Sequence, residues 1–180
     1  MLRRVLDHPM QRALVVTALS AVTACSPTLD WRQWRPEGSG VEMMLPCKPV
    51  SQVRNVRLAG QAVRLSLHAC SAGGQTWALA FADLTDPAQV GPALNGLQAA
   101  ALVNVGGAQV QAVPWVLAGA TPHVESGRLR FQGRLPDGRA VQEDVAVFAV
   151  GTRVLQATAI GETLPAEAVD SFFQSFRVTP

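Results

Sequence analysis

Residues 128–160, RLRFQGRLPDGRAVQEDVAVFAVGTRVLQATAI, decide the fold. Residues 128–135 alternate apolar and polar side chains, the period of a strand with one buried face. Pro136-Asp137-Gly138 turns the chain, because proline presets φ and Asp-Gly tolerates the tight backbone that follows. Residues 141–150 return it as a run of mostly apolar residues. Gly151-Thr152 turns it again, and residues 153–160 add a further strand. Three strands joined by two short turns make a meander, and such links imply antiparallel pairing.

Outward from the meander the same signals recur. In residues 62–70, Val63, Leu65, Leu67 and Ala69 alternate with Arg64, Ser66, His68 and Cys70. Residues 53–58 precede them across Ala59-Gly60-Gln61, which reads as a hairpin. Residues 41–45 form a short apolar run ended by Pro46, and residues 77–83 follow a turn over residues 71–75. Asp86 then caps a helix with Pro87 in its first turn. Leu94, Leu97, Ala101 and Leu102 recur at helical spacing, and Asn104-Val105-Gly106-Gly107 closes the helix. Residues 110–117 predict another strand, which Pro114 confines to a sheet edge. Residues 165–175 predict a second helix with Ala168, Val169, Phe172, Phe173 and Phe176 on its apolar side. Arg177-Val178 adds a closing strand or tail. The expected class is α+β: an antiparallel sheet of about seven strands, made of hairpins and a meander, packed against two helices.

The first 25 residues read differently. Arg3, Arg4 and Arg12 precede an apolar run of about ten residues, 13–22, then Thr23, Ala24 and Cys25. A positive start, a short apolar run and small residues at a cut make a secretory signal peptide. The run is too short to span a bilayer, which takes about 20 apolar residues. Arg3-Arg4 lacks the flanking residues of a twin-arginine signal. Val22-Thr23-Ala24-Cys25 resembles the lipobox of bacterial lipoproteins. The resemblance implies attachment of diacylglycerol to Cys25, cleavage before it, and acylation of the new amine with a fatty acid such as palmitate. Several acyl chains together give firm membrane anchoring. Ser26, by resemblance to enterobacterial lipoproteins, favours the outer over the inner membrane. The organisation expected is a signal peptide over 1–24, a lipidated tether over 25–40 and one domain over 41–180. Trp31 and Trp34 interrupt the polar tether, either at the lipid interface or packed on the domain.

Charge narrows the partners. Of 15 basic and 13 acidic residues, three and one lie in the leader, so the remainder carries 12 of each. A neutral chain whose only lysine is Lys48 offers no clustered basic surface for nucleic acid or for anionic lipid. The expected partners are the membrane, through the lipid anchor, and an envelope protein.

With Cys25 assigned to lipid, Cys47 and Cys70 remain. An even pair in an exported domain reads as a disulfide, tying the first strand region to the third. Free thiols are an alternative. So is a metal carrier, because His68 lies two before Cys70 and Cys47/His68/Cys70 would supply three soft ligands. No fourth ligand is evident.

His68 and His123 are the histidines beyond the leader, and either could centre an enzyme site if a carboxylate joined it in a pocket. There is no G-x-S-x-G elbow, and Gly73-Gly74 and Gly106-Gly107 lack phosphate-loop context. Glu143 and Asp144 are adjacent on a strand, point to opposite faces and cannot act as a couple. Glu125 and Asp137 sit by turns. Arg128, Arg130, Arg134 and Arg139 form the densest basic group. They read either as the solvated face of a sheet or as a seat for an anionic ligand such as a lipid head group. No catalytic residue, cofactor or metal is assigned.

The order of elements also resembles that of PsbP and Mog1-like domains. The points of likeness are a strand ending in Leu45-Pro46, a hairpin, a strand ending in Asp83, a helix, the meander, and the ending Phe172-Phe173-Gln174-Ser175-Phe176. The resemblance spans roughly residues 41–178. It implies an α/β/α sandwich around an antiparallel sheet and a non-enzymatic scaffold or binding role, with no functional residue carried over.

Overall fold

The computed structural model describes residues 28–107 and 109–179. The expected signal peptide, the lipobox and Cys25 lie outside the described residues. In chain order the elements are β1 (Arg32–Trp34), β2 (Val41–Leu45), β3 (Val50–Leu58), β4 (Gln61–Ala72), β5 (Gln75–Asp83), α1 (Val90–Asn104), β6 (Gln109–Val113), β7 (Gly127–Arg134), β8 (Ala140–Val150), β9 (Arg153–Gly161), α2 (Ala166–Gln174) and β10 (Arg177–Val178).

Seven strands form one sheet in the order β3-β4-β5-β9-β8-β7-β6, and every neighbouring pair is antiparallel. The class is therefore α+β, as expected. The meander β7-β8-β9 lies toward one side of the sheet, and β6 forms an edge that ends just before Pro114. At the β3–β4 turn Ala59 and Gly60 both have positive φ, 48° and 78°. That backbone matches the twist of the flanking strands, and glycine adopts it without a steric penalty.

The sheet is covered on both faces, so β8 loses the alternation of a half-exposed strand: every residue from 143 to 149 is buried. On one face lies α1, over Val147, Ala149 and Val154 at its start and over Phe131, Val141 and Val145 at its end. A 3-10 turn (Pro87–Gln89) precedes it, and the Asp86 carboxylate accepts from the Ala88 N–H at 2.9 Å. The opposite face carries α2 beside a small sheet of order β1-β2-β10. Val41, Met43 and Leu45 of β2 share a core with Trp77, Leu79, Phe148, Phe172, Phe173 and Phe176. Each such large side chain contributes roughly 1.5–3 kcal/mol of transfer free energy. Glu167 in the first turn of α2 meets the positive end of the helix dipole.

The structure differs from the expected tether over residues 25–40 wherever that stretch is described. Residues 28–40 are built into the domain: β1 pairs with β2, Trp31 meets Trp77 edge-on at 5.7 Å, and the Asp30 N–H donates to Pro46 O at 2.9 Å. Leu29 and Trp34 pack against the same core. Ser39 is fully buried; its hydroxyl donates to Pro36 O at 2.8 Å and accepts from the Val41 N–H at 3.2 Å. The polar composition hid a segment anchored by a few large apolar groups. Both tryptophans pack on the domain.

The large sheet has two ends. One carries the turn at Gly73-Gly74, the 135–139 turn and residues 161–165. The other carries the 59–60 and 151–152 turns and the long connection 114–126. No helix among the described residues is long and apolar enough to cross a membrane.

Candidate binding site

The connection from β6 to β7 builds an apolar cleft at the second end of the sheet. Pro114 cannot extend the ladder, so the chain leaves β6 there. It turns at Leu117, whose carbonyl accepts from the Ala120 N–H at 3.2 Å, and pairs with β8 at an isolated bridge, where the Thr121 N–H donates to Ala149 O at 2.8 Å. Thr121 Oγ1 accepts from the Gly151 N–H at 2.7 Å, tying the loop to the β8–β9 turn. Trp115 folds inward. Its indole N–H donates to Phe173 O at 3.0 Å, and its ring stands edge-on to Phe148 at 5.4 Å. The donor is satisfied and the apolar body is spent on the core, the arrangement a buried tryptophan needs.

Two cavities flank this stretch. The larger, about 370 Å³, is walled by Trp115, Leu117, Pro122, His123, Ser126 and Phe148, among others. The smaller, about 270 Å³, shares residues 115–117 and adds Phe173, Phe176 and Arg177. Val116 and Val124 stand 93% exposed beside them. No carboxylate among the described residues lines the larger cavity. Its polar handles are Thr121, His123 and Ser126, and Ser126 Oγ is buried with no hydrogen-bond partner among the described residues. An apolar concavity of this size with a few polar groups is the usual form of a small ligand site.

His123 is held in one orientation. Its Nδ1 accepts from the Glu125 N–H at 3.1 Å, so in the neutral ring the proton is on Nε2. The ring lies over Gly91 at the start of α1: a Cβ there would stand 2.8 Å from His123 Cε1. Glycine at 91 is what permits this close approach.

His68 sits elsewhere, on the α2 side of the sheet. Its Nδ1 is hydrogen-bonded to Ser51 Oγ at 2.7 Å, and its ring stacks on Phe81 at 5.9 Å, with Trp34 at 6.2 Å. Burial among these rings lowers its pKa. Cys47 and Cys70 form a disulfide, with Cα atoms 5.8 Å apart. Their sulfurs are joined to each other, so in this state they supply no thiolate for the Cys47/His68/Cys70 metal arrangement. No group of three or more metal-ligating side chains occurs among the described residues.

The arginine row divides: Arg134 and Arg139 are exposed, as on a solvated face, whereas Arg128 and Arg130 turn to buried Asp144 and form no open anion seat. Arg128 is 4% exposed and Asp144 0%. Arg128 donates from Nε and Nη2 to the two oxygens of Asp144, at 2.5 and 3.1 Å. Arg130 donates twice to Asp144 Oδ2, at 2.9 and 2.7 Å. Asp170 of α2 adds a second carboxylate 3.4 Å from Arg128, whose guanidinium lies over the Phe173 ring at 4.1 Å. Two cations and two anions balance, and the cluster clamps α2 to the sheet. Arg134 is apart from it, donating to Gly138 O at 3.0 Å, and Arg139 pairs with Asp137.

Glu143 and Asp144 do face opposite ways. Glu143 lies under the α1 side, 5% exposed, between Phe131 and Ile160 on the neighbouring strands. Its Oε2 has no hydrogen-bond partner among the described residues. Burial pushes its pKa up to about 7. The sequence signal for this is that Glu143 is the one acid on the strand face that also carries Val141 and Val145. The cleft at residues 114–126 had no such signal, because its walls come from a loop, a strand and a helix far apart in the chain. Comparison with protein-family models and with curated sequences finds no match for the chain.

Proposed function

We propose that the protein is a lipoprotein of the bacterial cell envelope, anchored through Cys25 and facing the periplasm, whose domain is a non-catalytic binding module. Its site is the cleft at residues 114–126, which takes an apolar group of a partner. The observation that carries this reading is the pair of apolar cavities on either side of Trp115-Val116-Leu117, with Val116 exposed between them. Burying apolar surface there would drive association. The resemblance to PsbP and Mog1-like domains, which implies a scaffold or binding role, supports the same reading. The lipobox at Val22-Thr23-Ala24-Cys25 supports the anchor, and Ser26 favours the outer membrane.

Two measurements test the reading. The intact mass of protein extracted from membranes should equal residues 25–180 plus diacylglycerol and an acyl chain; a lipid-free mass from a soluble fraction would refute the anchor. A fluorescent anilinonaphthalene probe should bind saturably to the folded domain. Ala120→Trp, which fills the larger cavity, should abolish that binding without unfolding the protein. Equal binding by both forms would place the apolar site elsewhere.

A further inference from the structure

The packed domain begins very close to the anchor. Thr28 and Leu29 lie against the β4–β5 turn: their Cγ2 and Cδ2 atoms are 3.5 and 3.2 Å from where a Cβ on Gly73 would stand. Leu29 and Trp31 are held in the core from there on. Only Ser26 and Pro27 separate Cys25 from Thr28, and three residue steps span at most about 11 Å. The turn at Gly73-Gly74 shares a cavity of about 520 Å³ with Arg139, Gly161 and Thr163, so these loops form one surface. The nine residues of β9 separate that surface from the 114–126 connection, roughly 30 Å of strand. A leash about a third as long as the sheet holds the near end at the bilayer while Leu29 and Trp31 stay in the core, and with the strands standing upright on the membrane the far end lies a strand's length away from it.

We propose that the end of the sheet carrying Gly73-Gly74, the 135–139 turn and residues 161–165 rests on the bilayer surface, with the apolar cleft held away from the anchoring membrane. The proposal rests on the lipoprotein reading. The charged groups at that end, Arg32, Lys48, Arg134 and Arg139 against Asp30, Asp137, Glu162 and Glu167, balance one another. The contact therefore needs no anionic lipid, because it is imposed by the short anchor and not by attraction. The cleft then meets apolar groups presented from the periplasm or from the opposite membrane, not the lipid of its own leaflet.

The test uses the full acylated chain in phosphatidylcholine vesicles that contain a lipid bearing a nitroxide on its head group. A fluorophore is attached to one introduced cysteine, Thr163→Cys at the near end or Val124→Cys at the far end, with the native disulfide left oxidised. Emission from position 163 should be lost to the quencher and emission from position 124 should be unchanged. Equal quenching at both positions, or stronger quenching at 124, in protein whose mass shows acylation would overturn the orientation alone. Protein that carries no acyl chain and does not float with the vesicles would overturn the lipoprotein reading, and the orientation with it.

Discussion

Glu143 should make the domain less stable at neutral pH than in mild acid. Its carboxyl is surrounded by apolar neighbours: Phe131 and Ile160 across the strands, Val141 and Val145 along β8, and Ala101 and Val105 of α1 over the same patch. None of these carries a charge. The ordinary value of 4.5 applies to the unfolded chain and about 7 to the folded one. The folded state thus binds more protons, so its stability falls as pH rises between those values. The carboxyl's contribution is complete below pH 4.5 and lost once the pH has passed 7. Each tenfold in proton affinity corresponds to about 1.4 kcal/mol, so the loss is about 3 kcal/mol. That is a large fraction of the 5–15 kcal/mol typical of a domain. The assay is urea unfolding at pH 4 and pH 8, comparing the native chain with Glu143→Gln. Other groups titrate in the same window, including His68, whose lowered pKa works in the opposite direction. The difference between the two proteins removes them. The native chain should lose about 3 kcal/mol more than Glu143→Gln between the two pH values. Parallel profiles for the two proteins would refute a buried, unpaired carboxylate at this position.

Three further outcomes follow from the packing. Cys47→Ser combined with Cys70→Ser opens a loop of sequence separation 23 and should lower unfolding free energy by about 3 kcal/mol, measured in urea without reductant. Arg128→Met leaves Asp144 fully buried with only Arg130 beside it and should cost about 3 kcal/mol; adding Asp144→Leu should recover most of that, and a further loss in the double variant would contradict the clamp. Gly91→Ala should shift the His123 ring resonance in an NMR spectrum, because the new Cβ would stand 2.8 Å from Cε1. The net stability should change little, since alanine gains about 1 kcal/mol over glycine within a helix.

The sheet was legible because its signals are local. Alternation and turn residues place β3, β4, β7 and β9 to within a few positions; Asp86 and Gly106-Gly107 bracket the first helix, and the apolar spacing of Ala168, Val169, Phe172 and Phe173 places the second. Errors arose where long-range contacts override composition. Residues 109–113 pair with β7, but Pro114 stops the ladder, and the apolar residues 115–117 that looked like more strand are the wall of a cleft. Residues 28–40 are rich in charged and polar residues, yet Leu29, Trp31 and Trp34 find partners in a core assembled from β2, β4, β5 and α2. Period two correctly separated Glu143 from Asp144. It could not show that a second layer lies over each face, which turns one acid into an ion-paired clamp and the other into a buried, unpaired group.

The loss of the tether changes what an anchor does to this domain. A flexible linker of 15 residues would have an end-to-end distance of roughly 20 Å and would let the domain tumble freely above the membrane. With Thr28 and Leu29 packed beside Gly73, the link shrinks to a few residues, and the fold itself sets which surface meets the lipid. The disulfide then acquires a second consequence. Cys47 follows β2, the strand on which β1 is laid, and the bond ties that strand's end to β4. Reduction should loosen the layer that holds residues 28–34, lengthening the effective link at the same time as it lowers stability. Hydrogen exchange of the amides paired between β1 and β2 should therefore accelerate on reduction more than that of the central β8–β9 pair. Uniform acceleration of both pairs would mean that the bond stabilises the domain as a whole and has no special hold on its membrane-proximal entry.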